Sequence, residues 1–182
     1  VSLWHDISGN NNHAQQLDSS KQAIIQSNSI EFNGDAFYDI GTNITSGTSY
    51  TVIAVEDSSN YLTDETNIIF SELGTKTTNS MVNLGFLYTN NKHYIALGHY
   101  LNDLTVEISR VGTKTISVFR FIKDQSPSHF INYNGSFVGS GKTGGPLTNN
   151  GNNIIGKYSD DQFYMGSIQE ILVFNTHLSN AD

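Results

Sequence analysis

Tyrosine side chains beside clusters of asparagine and aspartate are the residues of this sequence best suited to recognise a ligand. An exposed aromatic ring can stack on the apolar face of a sugar, and planar amide and carboxylate groups can pair with its hydroxyls. The candidate carbohydrate-binding residues are Asn60, Tyr61 and Asp64 in one polar segment, and Tyr158, Asp160 and Asp161 in a second. The same residue types also occur in an inert polar surface, because tyrosine is a common strand former.

The acidic residues of these two segments could also coordinate calcium, which takes about six to eight oxygen ligands from flexible loops. The candidate metal ligands are Asp57, Asp64 and Asp160. Asp6 and Asp35 are further acids that such a site could use. No fixed-spacing signature such as an EF-hand loop occurs, so solvated turn residues are the alternative interpretation. Calcium is therefore a candidate cofactor, and the sequence indicates no other.

The pattern of acidic residues argues against a glycan-cleaving enzyme. Retaining glycoside hydrolysis needs two carboxylates about 5–5.5 Å apart, and residues two apart on one strand meet that requirement. None of the 17 acidic residues has an acidic partner two positions away, the chain has no Cys, and no Gly-x-Ser-x-Gly nucleophile motif occurs. We therefore expect a protein that is not an enzyme. A site assembled from acids on separate strands is the alternative.

The charge balance excludes several classes of partner. The chain carries 9 Lys and Arg against 17 Asp and Glu, which gives a formal net charge of −8 at pH 7. The cations are scattered singly, so the basic stripe that a nucleic-acid-binding protein needs is missing. No apolar run approaches the roughly 18 residues of a membrane span. We expect no nucleic acid partner and no membrane insertion.

Alternation of apolar and polar residues predicts strands through most of the chain. Runs of this kind, with turn residues about every 8–12 positions, are typical of an antiparallel sandwich or barrel. In residues 115–123, Phe119 and Phe121 share one face. Asn134-Gly135 predicts a type I′ hairpin turn, because both positions accept a positive φ. The predicted strands cover residues 49–57, 68–73, 81–88, 94–100, 105–109, 115–123, 130–138 and 166–174.

The predicted last strand, residues 166–174, has apolar residues on both faces, which is typical of a central strand covered on both sides. With strict alternation, Leu172 shares a face with Ile168. Glu170 lies within this strand, and a buried carboxylate without a partner is costly. We expect Glu170 to be a paired structural residue at a sheet end, and Trp4 to be a core residue rather than a platform for a sugar.

Three stretches, in order, carry a family pattern. They are residues 4–14 (WHDISGNNNHA), residues 30–41 with the strand 50–55, and residues 155–175 followed by Leu178-Ser179. Together they resemble the laminin-G-like (LamG-type) jelly-roll domain of the concanavalin A-like lectin and glucanase superfamily. The resemblance spans nearly the whole chain and implies a two-sheet jelly roll, in which many relatives bind calcium on rim loops. The motifs belong to the fold and specify no ligand.

We expect residues 1–182 to form a single all-β domain, an antiparallel two-sheet jelly-roll β-sandwich of the concanavalin A-like kind. A length of 182 residues fits one domain, and the start at Val1 suggests a module excised from a larger protein. The expected function is a non-catalytic carbohydrate-binding, lectin-like or adhesion module of an extracellular, cell-surface or virion protein. Its partners would be a glycan or cell-surface ligand and the other domains of the parent chain. The alternatives are a structural or protein–protein interaction module without a small ligand, and a glycan-cleaving enzyme.

Overall fold

Strands account for most of the regular structure, as the alternating pattern predicts. The computed structural model describes residues 1–58, 66–109, 114–145, 147, 151–159 and 161–179. Within that part of the chain it contains 17 strands and one 3-10 turn at Ser19–Lys21. The strands are β1 (Leu3–Trp4), β2 (Ala14–Gln15), β3 (Ile24–Ile25), β4 (Ile30–Asn33), β5 (Tyr38–Asp39), β6 (Tyr50–Asp57), β7 (Asn67–Glu72), β8 (Asn83–Thr89), β9 (Lys92–Gly98), β10 (Leu104–Ile108), β11 (Thr115–Phe121), β12 (His129–Tyr133), β13 (Ser136–Gly141), β14 (Asn153–Ile155), β15 (Lys157–Ser159), β16 (Gln162–Phe163) and β17 (Met165–Phe174).

The strands form two large antiparallel sheets packed face to face. The larger sheet has eight strands in the order β1-β2-β5-β14-β7-β8-β9-β10, and the smaller has seven in the order β13-β12-β11-β6-β17-β4-β3. A two-stranded hairpin, β15–β16, lies against β7. This arrangement confirms the predicted all-β, two-sheet sandwich of the jelly-roll, concanavalin A-like class. No helix in the described ranges is long and apolar enough to cross a bilayer.

Aromatic side chains fill much of the space between the sheets. Phe32 is fully buried and meets Tyr38 and Tyr164 edge-on, with ring centroids 5.9 and 5.6 Å apart. Edge-to-face pairs of this kind add about 0.5–1.5 kcal/mol beyond the area that they bury. They join β4, β5 and the residue before β17, and so link the two sheets at the end of the sandwich where the chain begins.

Two local predictions from the sequence are confirmed. The turn at Asn134-Gly135 joins β12 to β13, and its residues have φ values of 48° and 78°. Phe119 and Phe121 on β11 both lie in the core, whereas Ile116, on the opposite face, is 47% exposed. Both features depend on short-range properties, namely the φ preference of a turn and the two-residue repeat of a strand.

The predicted faces of β17 are wrong beyond Ile168. A bulge lies between Ile168 and Glu170 in the pairing with β6, and the extra residue shifts the alternation by one position. Ile171 therefore packs on the core together with Ile168, and Leu172 is 39% exposed. The sequence had led us to expect a structural residue in a covered strand at position 170, but Glu170 is exposed.

Candidate functional site

A groove of about 910 Å³ runs along β17, between that strand and the segment that contains β1 and β2. We call it the edge groove; its size is at the upper end of the roughly 300–1,000 Å³ typical of small-molecule sites. The described lining residues come from both ends of the chain: Trp4, His5, Asp6, Ile7, Ser8, Asn10, Asn12, Ala14, Ile40, Ile44, Val55, Ile155, Gln169, Glu170, Ile171, Leu172, Val173, Phe174 and Asn175. The opening and closing sequence motifs therefore meet at one surface feature.

One polar wall of the edge groove is a loop built around Asp6. The Ser8 and Asn12 main-chain N–H groups donate to the two Asp6 carboxylate oxygens over 2.8 and 2.9 Å. The Asp6 N–H donates to His13 Nδ1 over 3.0 Å, which ties the two ends of the loop together. A hydrogen bond from the Ser8 side chain, followed by those from the Ser8 and Asn12 main-chain N–H groups, lowers the pKa of the Asp6 carboxyl below its usual value. The opening motif is thus a local framework that holds the loop beside the groove.

Asp6→Asn is expected to loosen this loop, because asparagine can accept from only one of the two N–H groups and turns its own NH2 toward the other. Hydrogen exchange at the Ser8 and Asn12 amides should accelerate on the order of tenfold. Asp18→Asn is the matched control, since Asp18 likewise accepts from the Ser20 N–H, over 2.9 Å. The control should leave exchange at Ser8 and Asn12 unchanged. Full protection in Asp6→Asn would mean that other contacts hold the loop.

The second wall is the edge of β17. Residues Glu170–Phe174 pair with β6 on one side, and β4 pairs with β17 only as far as Ile168. Among the described strands, none pairs with the other edge of Glu170–Phe174, which borders the groove. Main-chain donors and acceptors along such an edge can bind a polar ligand or another strand. Glu170, the residue after the bulge at Gln169, also lines the groove.

Trp4 is one of the aromatic residues that line the edge groove. It lies on β1 opposite Ala14 and is partly buried, because it packs against the core. Trp4 also lines the groove, together with Ile44 and Ile155. Trp4 therefore packs against the core, as predicted, without being fully buried, and it also lines the groove.

Most of the predicted carbohydrate-binding set lies outside the part of the chain that the structure describes. Two members are described. Tyr158 lies on β15. Burial is the main cause that raises the pKa of its phenol, and the charge of Asp103 acts in the same direction. Asp161 is exposed at the turn between β15 and β16. Neither residue lines the edge groove. The members outside the described residues, for which the prediction stays a prediction, are Asn60, Tyr61, Asp64 and Asp160.

The calcium prediction also rests largely on residues that the structure does not describe. Asp57 ends β6, whereas Asp64 and Asp160 lie outside the described residues. Asp6 accepts main-chain hydrogen bonds, and Asp35 forms an ion pair. Over the described ranges, no three His, Cys, Asp or Glu side chains gather closely enough to hold a metal ion. Calcium binding at the predicted residues stays a prediction.

The described members of the predicted sets come from different parts of the fold. Asp57 belongs to the smaller sheet, where its carbonyl oxygen lies against Gly166, whereas Tyr158 lies beside Asp103 and the larger sheet. Sequence analysis missed the edge groove because it assigned Trp4 and Glu170 to the framework of the fold. The available signal was a carboxylate within an otherwise apolar strand.

No protein-family model and no curated protein matches the sequence. A Trypanosoma rangeli sialidase structure matches with a TM-score of 0.71 and 17% identity, over 99% of this chain and 29% of that chain. Domain 4 of AbnA, a GH43 extracellular arabinanase from Geobacillus stearothermophilus solved with arabinotriose, matches with a TM-score of 0.59 and 16% identity, over 84% of this chain and 73% of that one. The chain shares their β-sandwich fold.

A third match extends the comparison to a toxin. A botulinum neurotoxin type C structure, described as entering cells through two ganglioside molecules, matches with a TM-score of 0.52 and 12% identity, over 74% of this chain and 34% of that chain. The sandwich therefore spans about a third or less of the sialidase and neurotoxin chains, and most of the arabinanase domain. Each of these three proteins acts on or interacts with a glycan.

Proposed function

We propose that this domain is a non-catalytic carbohydrate-binding module and that the edge groove is its binding site. The observation that carries the proposal is the meeting of Trp4, the Asp6 loop and Glu170 in one groove of about 910 Å³. An indole next to carboxylate and amide groups combines a surface for the apolar face of a sugar with partners for its hydroxyls.

The absence of catalysis is part of the proposal, and the carboxyl groups support it. Asp6 and Glu170 are the only carboxyl groups among the described lining residues. Both Asp6 oxygens already accept main-chain N–H groups, which favours the charged form and makes Asp6 a poor general acid. The hydrogen bonds to both oxygens also weaken Asp6 as a nucleophile or base, so Glu170 would have no strong carboxylate partner of the kind that glycoside hydrolysis uses.

The wider setting follows from the sequence pattern and the neighbours. The domain would be laminin-G-like and would belong to a larger extracellular, cell-surface or virion protein, in a lectin or adhesion role. The match to one part of a sialidase and to one domain of an extracellular arabinanase supports a module that accompanies other domains. The predicted calcium ion would be an accessory of this function and can be tested by thermal melting with and without EDTA.

Binding to a glycan array tests the function, and two substitutions test the site. Trp4→Ala and Glu170→Gln are each expected to weaken binding by about tenfold or more, which is about 1.4 kcal/mol. The matched controls are Phe137→Ala, an aromatic residue that is 56% exposed on β13, and Glu107→Gln on β10. Neither control residue lines the groove, so both variants should bind as the parent protein does.

The β15–β16 hairpin, which contains Tyr158, is the alternative location of the glycan-binding site. Tyr158→Ala should leave glycan affinity unchanged if the edge groove is the site. Loss of binding in Tyr158→Ala, with normal binding in Glu170→Gln, would place the site at the β15–β16 hairpin and its neighbouring loops. Because Trp4→Ala removes core contacts, its folding should be checked by circular dichroism, and the Glu170→Gln variant carries the test if Trp4→Ala unfolds.

A protein–protein module is the second candidate, and the edge of β17 favours it. Residues Glu170–Phe174 could pair with an extended segment of a partner protein, as exposed sheet edges do. In that case no glycan on the array would bind, and the domain would instead capture a partner by main-chain pairing along Glu170–Phe174.

A further inference from the structure

We infer that the edge groove accepts neutral oligosaccharides and disfavours sialylated or otherwise acidic glycans. The inference rests on the proposed function, because it names the ligand class of the same groove. The charges of the lining residues, their hydrogen-bonding groups and the length of the groove carry it.

The described residues that line the groove carry more negative than positive charge. The acidic residues Asp6 and Glu170 line the groove, and none of its described lining residues is Lys or Arg. His5 is the one described lining side chain that can carry a positive charge. The local charge therefore has the same sign as the net charge of −8.

The described Lys and Arg residues are not among those that line the groove. Of the nine Lys and Arg residues, eight are described and only Arg110 is not. Lys21 and Lys92 form ion pairs with acidic side chains. Arg120 donates to a side-chain and a main-chain oxygen, and Lys157 lies over two aromatic rings. These groups are committed to other partners.

A carboxylate on a bound ligand would find no Lys or Arg among the described residues that line the groove. Proteins bind carboxylates and sulfates through Arg, Lys or converging N–H groups, which supply charge-assisted hydrogen bonds. A sialic acid in this groove would instead lie near the Glu170 carboxylate. Two like charges at short range in a partly enclosed groove repel one another, and the groove offers no described cation to offset that repulsion.

A neutral sugar fits the same groups well. Its hydroxyls can donate to Glu170, and the side-chain amides of Gln169 and Asn175 can both donate and accept. Trp4 can cover an apolar ring face without requiring any charge. The carboxylate that repels an acidic glycan is therefore a favourable partner for a neutral one.

Length distinguishes an oligosaccharide from a single sugar ring. The lining residues of β17 and its end run from Gln169 to Asn175. At about 3.3 Å per residue, a strand segment of that length extends roughly 20 Å. The groove is thus long enough for several linked rings that lie along the strand.

Matched glycan pairs test the inference directly. The probes are neutral oligosaccharides and their sialylated forms, including lactose with sialyllactose, together with arabinotriose, measured by calorimetry at about pH 8, where a typical imidazole is neutral. We expect the neutral member of a bound pair to bind at least about tenfold more tightly. Added salt should narrow that difference, because it screens repulsion between exposed charges.

Glu170→Gln separates charge from shape. The substitution keeps the size of the side chain and removes its charge, so it should weaken neutral binding and raise the relative affinity of the sialylated member. Glu107→Gln, which removes a charge on β10 away from the groove, should leave the ratio unchanged. Equal or tighter binding of sialylated members by the parent protein would overturn this inference and leave the proposed function standing. Failure of every glycan to bind would overturn both.

Discussion

Replacing the buried Glu56 by alanine is expected to lower the free energy of unfolding by about 4 kcal/mol. Glu56 on β6 is completely buried and accepts hydrogen bonds from three hydroxyl groups. Ser58 Oγ and Tyr164 OH each donate to it over 2.6 Å, and Thr115 Oγ1 donates to its other oxygen. Alanine would leave these buried hydroxyls without their acceptor, and each buried polar group left without a partner costs about 1–3 kcal/mol.

Urea denaturation measures this effect, since the midpoint falls at constant slope when only the stability changes. Tyr164→Phe removes one of the hydroxyls and keeps the ring, so it should cost about 2 kcal/mol. Glu107→Gln is the exposed control and should change the stability by less than about 0.5 kcal/mol. A loss below about 1 kcal/mol in Glu56→Ala would show that the hydroxyls find other partners and that the cluster is not a main source of stability.

The fold could be predicted because its determinants are local and repeated. The two-residue alternation places Phe119 and Phe121 in the core, and the φ preferences of Asn134-Gly135 set the β12–β13 turn. Neither feature requires knowledge of distant parts of the chain. The buried position of Glu56 escapes such an analysis, because its hydroxyl partners come from three separate parts of the chain.

The candidate site could not be predicted in the same way. A single extra residue at Gln169 shifts the alternation, so each later side chain of β17 lies on the face opposite to the predicted one. Glu170, which was expected in a covered strand, therefore lines the groove. The groove also joins the first 14 residues to residues 169–175, so its composition depends on packing over nearly the whole length of the chain. The alternation of residues along one strand does not indicate which distant segment of the chain packs beside it.

The pair formed by His99 and His129 is another feature that only the packing reveals. Both side chains are completely buried, with ring centroids 4.6 Å apart. His99 Nε2 lies 2.7 Å from Tyr50 OH, and His129 Nδ1 lies 2.6 Å from Ser128 Oγ. Burial lowers the pKa of both imidazoles. The pKa of His99 lies well below its usual value, and the pKa of His129 is about 4. The charges of His129 on His99, and of Lys142 on His129, act in the same direction.

Acid is therefore expected to destabilise the domain before its ordinary carboxylates protonate. In the unfolded chain a histidine titrates near about 6.5. Below that pH the unfolded state binds protons that the folded state does not, so the free energy of unfolding falls by about 1.4 kcal/mol per pH unit for each histidine. The loss contributed by His129 levels off as the pH approaches its folded pKa of about 4. Between about pH 7 and pH 5 the two residues together should cost roughly 3–4 kcal/mol.

The double variant His99→Gln and His129→Asn tests this expectation, because each amide can occupy the position of the ring nitrogen that is hydrogen-bonded and neither can titrate. Denaturation at a series of pH values should show a much flatter dependence than in the parent protein, even if the variant is less stable at neutral pH. His5→Gln is the control, since it removes an exposed histidine that takes no part in the buried pair. A double variant with the parent's slope would show that other groups cause the acid sensitivity, whereas a parent protein equally stable at both pH values would mean that the folded state protonates these imidazoles without cost.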